Sequence, residues 1–311
     1  MIHHPIVSVI IPTYNRAHLI DKAINSVLSQ TYQDYEIIVV DDASTDNTKE
    51  VVKDFTDSRI SYIFHTNNLD ISAARNSGIK ASQGKYIALL DSDDEWLPEK
   101  LDKQINKFEK ESLKIGVIYT GSYYIDEKGN QIRKVHVPIK EGYIYEDLLR
   151  AGGYLCLSST LIKRECFKKV GLFDENLPPC EDLDMWIRIA KYYKFSYIKD
   201  LLVATRIHNN QITNDSEALI EGIKKIQVKY NKELGKRPYS NSIRYFHLGN
   251  KLCHLRKRKE GQKYFIKAIS IYPFCIKYYV YLLCSIFGTR VYMYISRIRR
   301  YFMTIRKKDY C

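Results

Sequence analysis

No two of the seven cysteines, at 156, 166, 180, 253, 275, 284 and 311, are spaced as C-x-x-C. An odd count without paired spacing excludes a stapled disulfide framework and is the usage of reduced thiols in a cytosolic compartment. The opening Met1-Ile2-His3-His4-Pro5 lacks a basic region followed by a long apolar stretch, so no signal peptide is expected. Long hydrophobic runs are also missing. The longest near the end, Tyr278 to Gly288, is too short to span a bilayer, and Pro273 and Lys277 block its extension upstream. No basic glycine-rich loop follows the first strand-like run, where Pro12 to Arg16 stand instead. That weighs against a nucleotidyltransferase. Finally, acid is scarce in the last third: Thr213 to Cys311 hold 22 Lys and Arg against 6 Asp and Glu. With a total charge of +13, this leaves residues 1–212 slightly acidic, at −3. The first two thirds have the balance of an enzyme, and the last third that of a segment meeting a polyanion.

What is present is a chain of 311 residues, rich in tyrosine with 26, long for one compact domain and short for two. Val7 to Ile11 and Glu36 to Val40 are β-branched runs that predict buried parallel strands. Further strands are expected at Ile60 to Phe64 and Tyr86 to Leu90. Helical spacing marks His18 to Gln30, Asn47 to Phe55, Ile71 to Ser82 and Pro98 to Glu111. Such alternation predicts an α/β fold with a mostly parallel sheet between helices. Ligands bind outside the carboxyl ends of the strands of such sheets. Three polar clusters fall there: Thr13 to Arg16, Asp41-Asp42, and Asp91 to Asp94. Val117 to Tyr145 turns to short alternating strands with a hairpin turn at Asp126 to Asn130. A strand at Ser158 to Ile162, helices at Arg164 to Val170 and Glu181 to Tyr193, and extended chain at Ser196 to Arg206 follow. A linker is expected near Asn209 to Ser216, and helices beyond it.

Asp91-x-Asp93 closes a buried strand, where two carboxylates can share one hard cation, Mg²⁺ or Mn²⁺. Such a metal neutralises the charge developing on a diphosphate leaving group. The competing expectation is an acidic loop capping the next helix, with Asp94 as the cap of the Glu95-Trp96-Leu97 turn.

Pro12-Thr13-Tyr14-Asn15-Arg16, Val40-Asp41-Asp42-Ala43-Ser44-Thr45-Asp46, Ala74-Arg75-Asn76-Ser77-Gly78, Asp91-Ser92-Asp93-Asp94, and Glu181-Asp182 before Trp186 occur in this order. Together they resemble the landmarks of family 2 glycosyltransferases, over about residues 6 to 212. The resemblance implies a GT-A fold, a nucleotide-sugar donor and an inverting reaction. It implies a nucleotide-sugar-binding half over 1–115 and an acceptor half over 116–212. By the same resemblance, Pro12, Thr13, Tyr14, Arg16 and Asp41 bind the donor, with Thr13 and Tyr14 lining the nucleobase pocket, Tyr14 stacking on the base and Asp41 accepting the N3–H of uracil. Packing and a helix cap are the alternatives for those two. Arg75 and Ser92 face the donor, with Arg75 on the pyrophosphate or in a surface salt bridge. Asn76 and Gly78 are weaker landmarks. Asp182 matches the general base, with Glu181 as the alternative, and Asp184 is expected to be solvated or capping. Pro178-Pro179-Cys180 fixes the entry to this helix. Asp91, Asp93 and His208 are the expected metal ligands. Trp186 is expected in the core, and Leu155 to Thr160 beside the acceptor.

The region 213–311 is expected to be basic and all-helical. Within Ser242 to Phe274, the residues Tyr245, Leu248, Gly249, Leu252, Gly261, Phe265, Ala268 and Pro273 fit one tetratricopeptide-like hairpin or an ordinary helical hairpin. Arg290, Arg297, Arg299, Arg300, Arg306, Lys307 and Lys308 alternate with aromatic and aliphatic residues. This suits an anionic membrane surface, ahead of single-stranded nucleic acid. The sequence thus reads as a transferase that moves a sugar from a UDP-sugar to a glycan or lipid-linked acceptor. It would act at the inner face of the cell membrane, without nucleic acid. An inactive sugar-nucleotide binding module is the non-enzymatic alternative.

Overall fold

The computed structural model describes residues 4–151, 155–177, 179–208, 216–288 and 292–293. Pro178, most of the expected linker and nearly all of the basic run from Arg290 onward lie outside these residues. The chain divides into two compact units, residues 1–148 with 152–214, and residues 149–151 with 215–311.

The first unit begins with β1 (Val7–Thr13), α1 (Ile20–Leu28), β2 (Tyr35–Asp41), α2 (Thr48–Lys53), β3 (Ile60–Phe64), α3 (Asp70–Ala81) and β4 (Tyr86–Leu89). These strands pair in parallel in the order β3-β2-β1-β4. Every residue of β1 is buried, as the β-branched run requires of a strand covered on both faces. Helix α1 buries Ile20, Ala23, Ile24 and Val27, one stripe at helical spacing. The chain winds outward from β1 to β3, then crosses back to place β4 on the other flank of β1. The carboxyl ends of β1, β2 and β4 therefore share one edge of the sheet, with a change of winding direction at β1, where α/β sheets form ligand crevices.

Glycine decides how close α3 comes to that sheet. A Cβ at Gly78 would collide with Ile10 and lie 3.3 Å from Val40 Cγ2. Its absence seats the helix on β1 and β2, one turn beyond Arg75.

The unit continues with β5 (Glu95–Trp96), α4 (Lys100–Lys110), β6 (Ile115–Ile125), β7 (Gln131–His136), α5 (Tyr145–Ala151), a 3₁₀ turn at Leu157–Ser159, β8 (Thr160–Lys163), α6 (Arg164–Val170), α7 (Glu181–Ala190) and β9 (Lys194–Arg206). Here the sheet becomes mixed. Strand β8 lies antiparallel between β4 and β6, β6 runs parallel to β9, and β5 is antiparallel to β9. Two expectations change. The segment from Val117 is one long strand followed by a single hairpin partner, because the pairing with β9 absorbs register shifts along β6. Glu95-Trp96 is a strand rather than a capped turn. The hairpin turn falls as expected: Asp126 Oδ1 accepts the N–H of Lys128 and of Asn130, an Asx-type closure.

The second unit contains α8 (Ser216–Lys229), α9 (Asn231–Gly235), α10 (Pro238–His254), α11 (Arg258–Ile271) and α12 (Ile276–Ile286). Helices α10 and α11 meet at Gly249 and Gly261, where a Cβ on either would strike the other's carbonyl oxygen at 2.8 or 2.7 Å. Phe246, Phe265, Tyr278, Tyr281 and Tyr292 form an aromatic core around this crossing. Ser242 and Tyr278 hydroxyls meet inside it at 2.9 Å, so the buried phenol keeps a hydrogen-bond partner.

Candidate active site

The loops after β1 and β2 are stitched together by short polar residues. Asn15 sits at φ 50° and Ala43 at φ 68°. The Asn15 N–H donates to Ser44 Oγ at 2.8 Å, and Asn15 Oδ1 accepts the Thr45 N–H at 2.8 Å. The Arg16 N–H donates to Thr48 Oγ1 at 3.1 Å. Pro12 and Thr13 are buried at the end of β1, Thr13 stands in register with Asp41, and Tyr14 is 44% exposed. Thr13 Oγ1 is buried without a hydrogen-bond partner among the described residues. An orphaned hydroxyl of this kind is uncommon in protein interiors and calls for an explanation.

Asp41 is fully buried. Its Oδ1 accepts the Ser44 N–H at 2.8 Å and its Oδ2 accepts the Tyr62 hydroxyl at 2.6 Å. Both oxygens thus shape the loop. The neighbouring Asp42 is likewise internal, held 2.7 Å from His65 Nδ1.

The acidic cluster is organised by Arg75. This side chain of α3 is 2% exposed. Its Nη2 donates to Asp91 Oδ1 at 2.8 Å and its Nη1 to Glu181 Oε1 at 2.5 Å. The ring of Phe173 packs under the guanidinium at 5.6 Å. Burial disfavours the charge, but Asp91 and Glu181 outweigh it and the guanidinium holds its proton more tightly than usual. The surface salt bridge is corrected to an internal one, since both terminal nitrogens of this buried guanidinium bridge carboxylates, while a contact of Arg75 with the pyrophosphate stays an expectation. Such a planar fork suits two carboxylates at once.

Asp91, Ser92, Asp93 and Asp94 form the turn after β4, closed by the Asp94 N–H on Asp91 O at 3.0 Å. Ser158 fastens it from the neighbouring 3₁₀ turn. Its Oγ accepts the Asp91 N–H at 3.1 Å and donates to Asp94 Oδ2 at 2.7 Å. Asp94 Oδ1 accepts the Arg206 N–H at 3.1 Å. Asp94 is therefore a buried tie between β4 and β9, not a helix cap. Burial first, then the charges of Asp93 and Asp91, push its carboxyl well above the ordinary range. Ser92 is buried within the turn.

Asp93 Oδ2 meets His208 Nε2 at 2.8 Å. The imidazole thus enters as the partner of Asp93. Asp91 Oδ2 and Asp93 Oδ1 lie outside these bonds. Two carboxylate oxygens on one turn suit a hard divalent cation that keeps water and phosphate oxygens as its other ligands. Among the described residues no three His, Cys, Asp or Glu side chains converge as a metal cage.

At the start of α7 the residue before the acidic pair, Cys180, has φ 121°. Glu181 is occupied twice, by Arg75 and by the Cys180 N–H on its Oε2 at 3.0 Å. Among the described residues, Asp182 accepts only the adjacent Leu183 N–H, at 2.6 Å. Burial, and next the charge of Glu181, raise the Asp182 carboxyl from 3.8 to about 7. The pair is thereby differentiated: Glu181 is structural in its contacts, and Asp182 is the freer carboxylate. Asp184, expected to be solvated or capping, is instead buried and paired with Arg188 at 2.8 Å. Trp186 is in the core.

The fold thus brings Arg75, Asp91 and Glu181 into direct contact, with Asp182 beside Glu181 and His208 on Asp93. Thr13, Tyr14 and Arg16 join the Asp41 loop at the same sheet edge. Ser158 escapes the sequence reading as a tie to the β4 turn. Ser158 lies within the segment expected beside the acceptor, but nothing in its local pattern signals a bond to the β4 turn.

An uncharacterized glycosyltransferase of Rickettsia conorii is 38% identical over 227 residues, which are 70% of this chain and 37% of that protein. The chain thus spans little more than a third of that relative. The Escherichia coli UDP-Glc:alpha-D-GlcNAc-diphosphoundecaprenol beta-1,3-glucosyltransferase WfgD is 34% identical over 70% of this chain and 82% of its own length. The Staphylococcus aureus TarS 1–349 structure in complex with UDP-GlcNAc superposes with a TM-score of 0.66 at 17% identity, over 94% of this chain and 91% of that one. That likeness establishes the GT-A fold. The family description Glycosyl transferase family 2 matches residues 8–171, and the chain belongs to that family.

Proposed function

We propose that this protein is an inverting glycosyltransferase that moves a sugar from a nucleotide diphosphate, a UDP-sugar, to a hydroxyl of a glycan or lipid-linked acceptor. The observation that carries this reading is the bridge by Arg75 from Asp91 to Glu181. It joins the turn suited to a metal diphosphate to the helix start that bears Asp182, the less engaged carboxylate, at one edge of the sheet.

In this reading Thr13 and Tyr14 receive the nucleoside, and the orphaned Thr13 hydroxyl gains a partner from it. Asp91 and Asp93 hold a divalent cation, Mn²⁺ or Mg²⁺, with His208 supporting Asp93. When bound, the cation supplies charge neutralisation at the diphosphate. Asp182 takes the proton of the acceptor hydroxyl as that oxygen attacks the anomeric carbon. The bond to the diphosphate oxygen breaks with its electron pair, and the configuration inverts. A carboxyl at about 7 is well matched to this work near neutral pH. Asp41, with both oxygens engaged, holds the nucleoside loop in shape. A lipid-linked acceptor would be met at the inner face of the cell membrane, which the 22 basic residues against 6 acidic ones from Thr213 onward favour.

The test is calorimetric titration with UDP, GDP and dTDP, each with Mn²⁺ and with EDTA. Metal-dependent binding of UDP that disappears in a folded Asp93→Ala variant is the expected result. Absence of binding to all three nucleotides by folded protein would overturn the donor site.

A further inference from the structure

Helix α12 is apolar on two faces. Tyr278, Tyr281 and Cys284 pack inward on the aromatic core. Ile276, Tyr279, Val280, Leu283, Ile286 and Phe287 form a second stripe, at offsets of three and four residues, that is exposed throughout. Ile276 is 79% exposed and Phe287 73%. A surface helix ordinarily turns polar residues outward, and a contiguous apolar stripe marks an interaction face.

The surrounding chain identifies the partner. From Gly261 to Lys308 there are ten Lys and Arg and no Asp or Glu. This disfavours a second copy of the chain, which would bring like charge against like charge. It suits a surface that is anionic and has an apolar interior just beneath. Helix α12 has 11 residues, about 16 Å of helix against a hydrocarbon core of about 30 Å. It is too short to cross. None of the described helices is long and apolar enough to do so. Against a bilayer, such a helix buries its stripe by lying in the interface plane.

We propose that the exposed stripe of α12 is the face by which this protein inserts into an anionic phospholipid bilayer, with the basic, acid-free sequence on either side of it supplying the attraction to headgroups. The proposal deepens the membrane reading above and rests on it. It assigns insertion to named residues that the basic run alone does not single out.

The full chain is sedimented with vesicles of phosphatidylcholine and phosphatidylglycerol in equal parts, and with phosphatidylcholine alone. Binding to the anionic vesicles is expected to weaken about tenfold in Leu283→Asp/Ile286→Asp, with the thermal transition and nucleotide binding unchanged. A second variant reports insertion directly. The chain has 2 tryptophans, and both are buried, so the emission added by Phe287→Trp should shift to the blue with anionic vesicles. Unchanged vesicle binding by the double Asp variant, with no shift at residue 287, would overturn the assignment to α12 while leaving membrane attraction through the basic run intact. No binding of the unaltered chain to either vesicle would overturn both. A dimer of the unaltered chain that the Asp variant dissociates would assign the stripe to a second copy and overturn the proposal. In each case the nucleotide titration stands apart as the test of the transferase reading.

Discussion

Asn76 closes a two-bond ring with the backbone of Phe173: its Oδ1 accepts the Phe173 N–H at 2.9 Å and its Nδ2 donates to Phe173 O at 3.0 Å. The residue follows Arg75 on α3, and Phe173 packs under the Arg75 guanidinium. One amide thus positions the segment that leads into α7. Asn76→Ala should leave both Phe173 groups unpaired, at about 1–3 kcal/mol for each buried group. Urea denaturation is the measure. The rate should fall with the stability, because the entry to Asp182 loosens. A stability within about 0.5 kcal/mol of the parent would show that the ring carries no weight.

Arg75 is the second site of leverage. Arg75→Met strands Asp91 and Glu181 beside each other, and breaking a buried pair in this way costs about 3–5 kcal/mol. Arg75→Lys keeps one charge but cannot fork to both carboxylates. Lys should therefore recover less than half of the lost stability, whereas a simple need for positive charge would let it recover nearly all.

The sign of the pH dependence follows from Asp182. Its carboxyl stands at about 7 in the folded protein against an ordinary 3.8. Transfer that needs the carboxylate should rise with pH and level off above about 7. Between the two values the folded chain holds a proton that the unfolded chain has released, so stability falls as pH climbs from about 4 to about 7 and is flat beyond. Asp182→Asn should abolish transfer, retain nucleotide binding and flatten this part of the stability profile. A variant that still transfers sugar with the parental pH profile would remove Asp182 from the role of base.

Gly78→Val tests the seating of α3. The added side chain meets Ile10 and Val40, and overpacking of this kind typically costs about 1–3 kcal/mol. The same displacement moves Arg75, so metal-dependent nucleotide affinity should drop together with the midpoint of thermal unfolding. Loss of stability with affinity intact would separate the seating of the helix from the site.

The parts of this fold that were legible in the sequence are those with short-range causes. Val7 to Ile11 and Glu36 to Val40 announce buried strands because no polar residue but Ser8 and Glu36 interrupts them. The aspartates at strand ends mark the crevice edge because parallel strands share an orientation. What could not be read depends on contacts across long stretches of chain. Arg75 reaches a partner 106 residues away, and nothing at either position distinguishes an internal bridge from a donor contact. Asp184 looked solvated because its partner Arg188 is also charged, and only the packing of α7 buries them. The mixed half of the sheet was hidden for the same reason. Pairing direction is set by which strand lies beside β6, not by the composition of β6.

Ser158 offers a way to separate the donor side from the acceptor side. Its hydroxyl is shared between the Asp91 N–H and Asp94 Oδ2, and it has no bond to Glu181 or Asp182. Removing it in Ser158→Ala leaves the part-buried Asp91 N–H and the buried Asp94 carboxyl each short of one partner, and should let the Asp91-Ser92-Asp93 turn relax. Nucleotide and metal affinity should weaken about tenfold, equivalent to about 1.4 kcal/mol. The pH at which the rate levels off should not move, because the surroundings of Asp182 are unchanged. Asp182→Asn should do the reverse, sparing affinity and removing the pH-dependent step. Titration calorimetry and rate-against-pH curves on the two variants measure both effects. A shift of the Asp182 profile in Ser158→Ala would show that the two halves of the site are coupled through more than the Arg75 bridge.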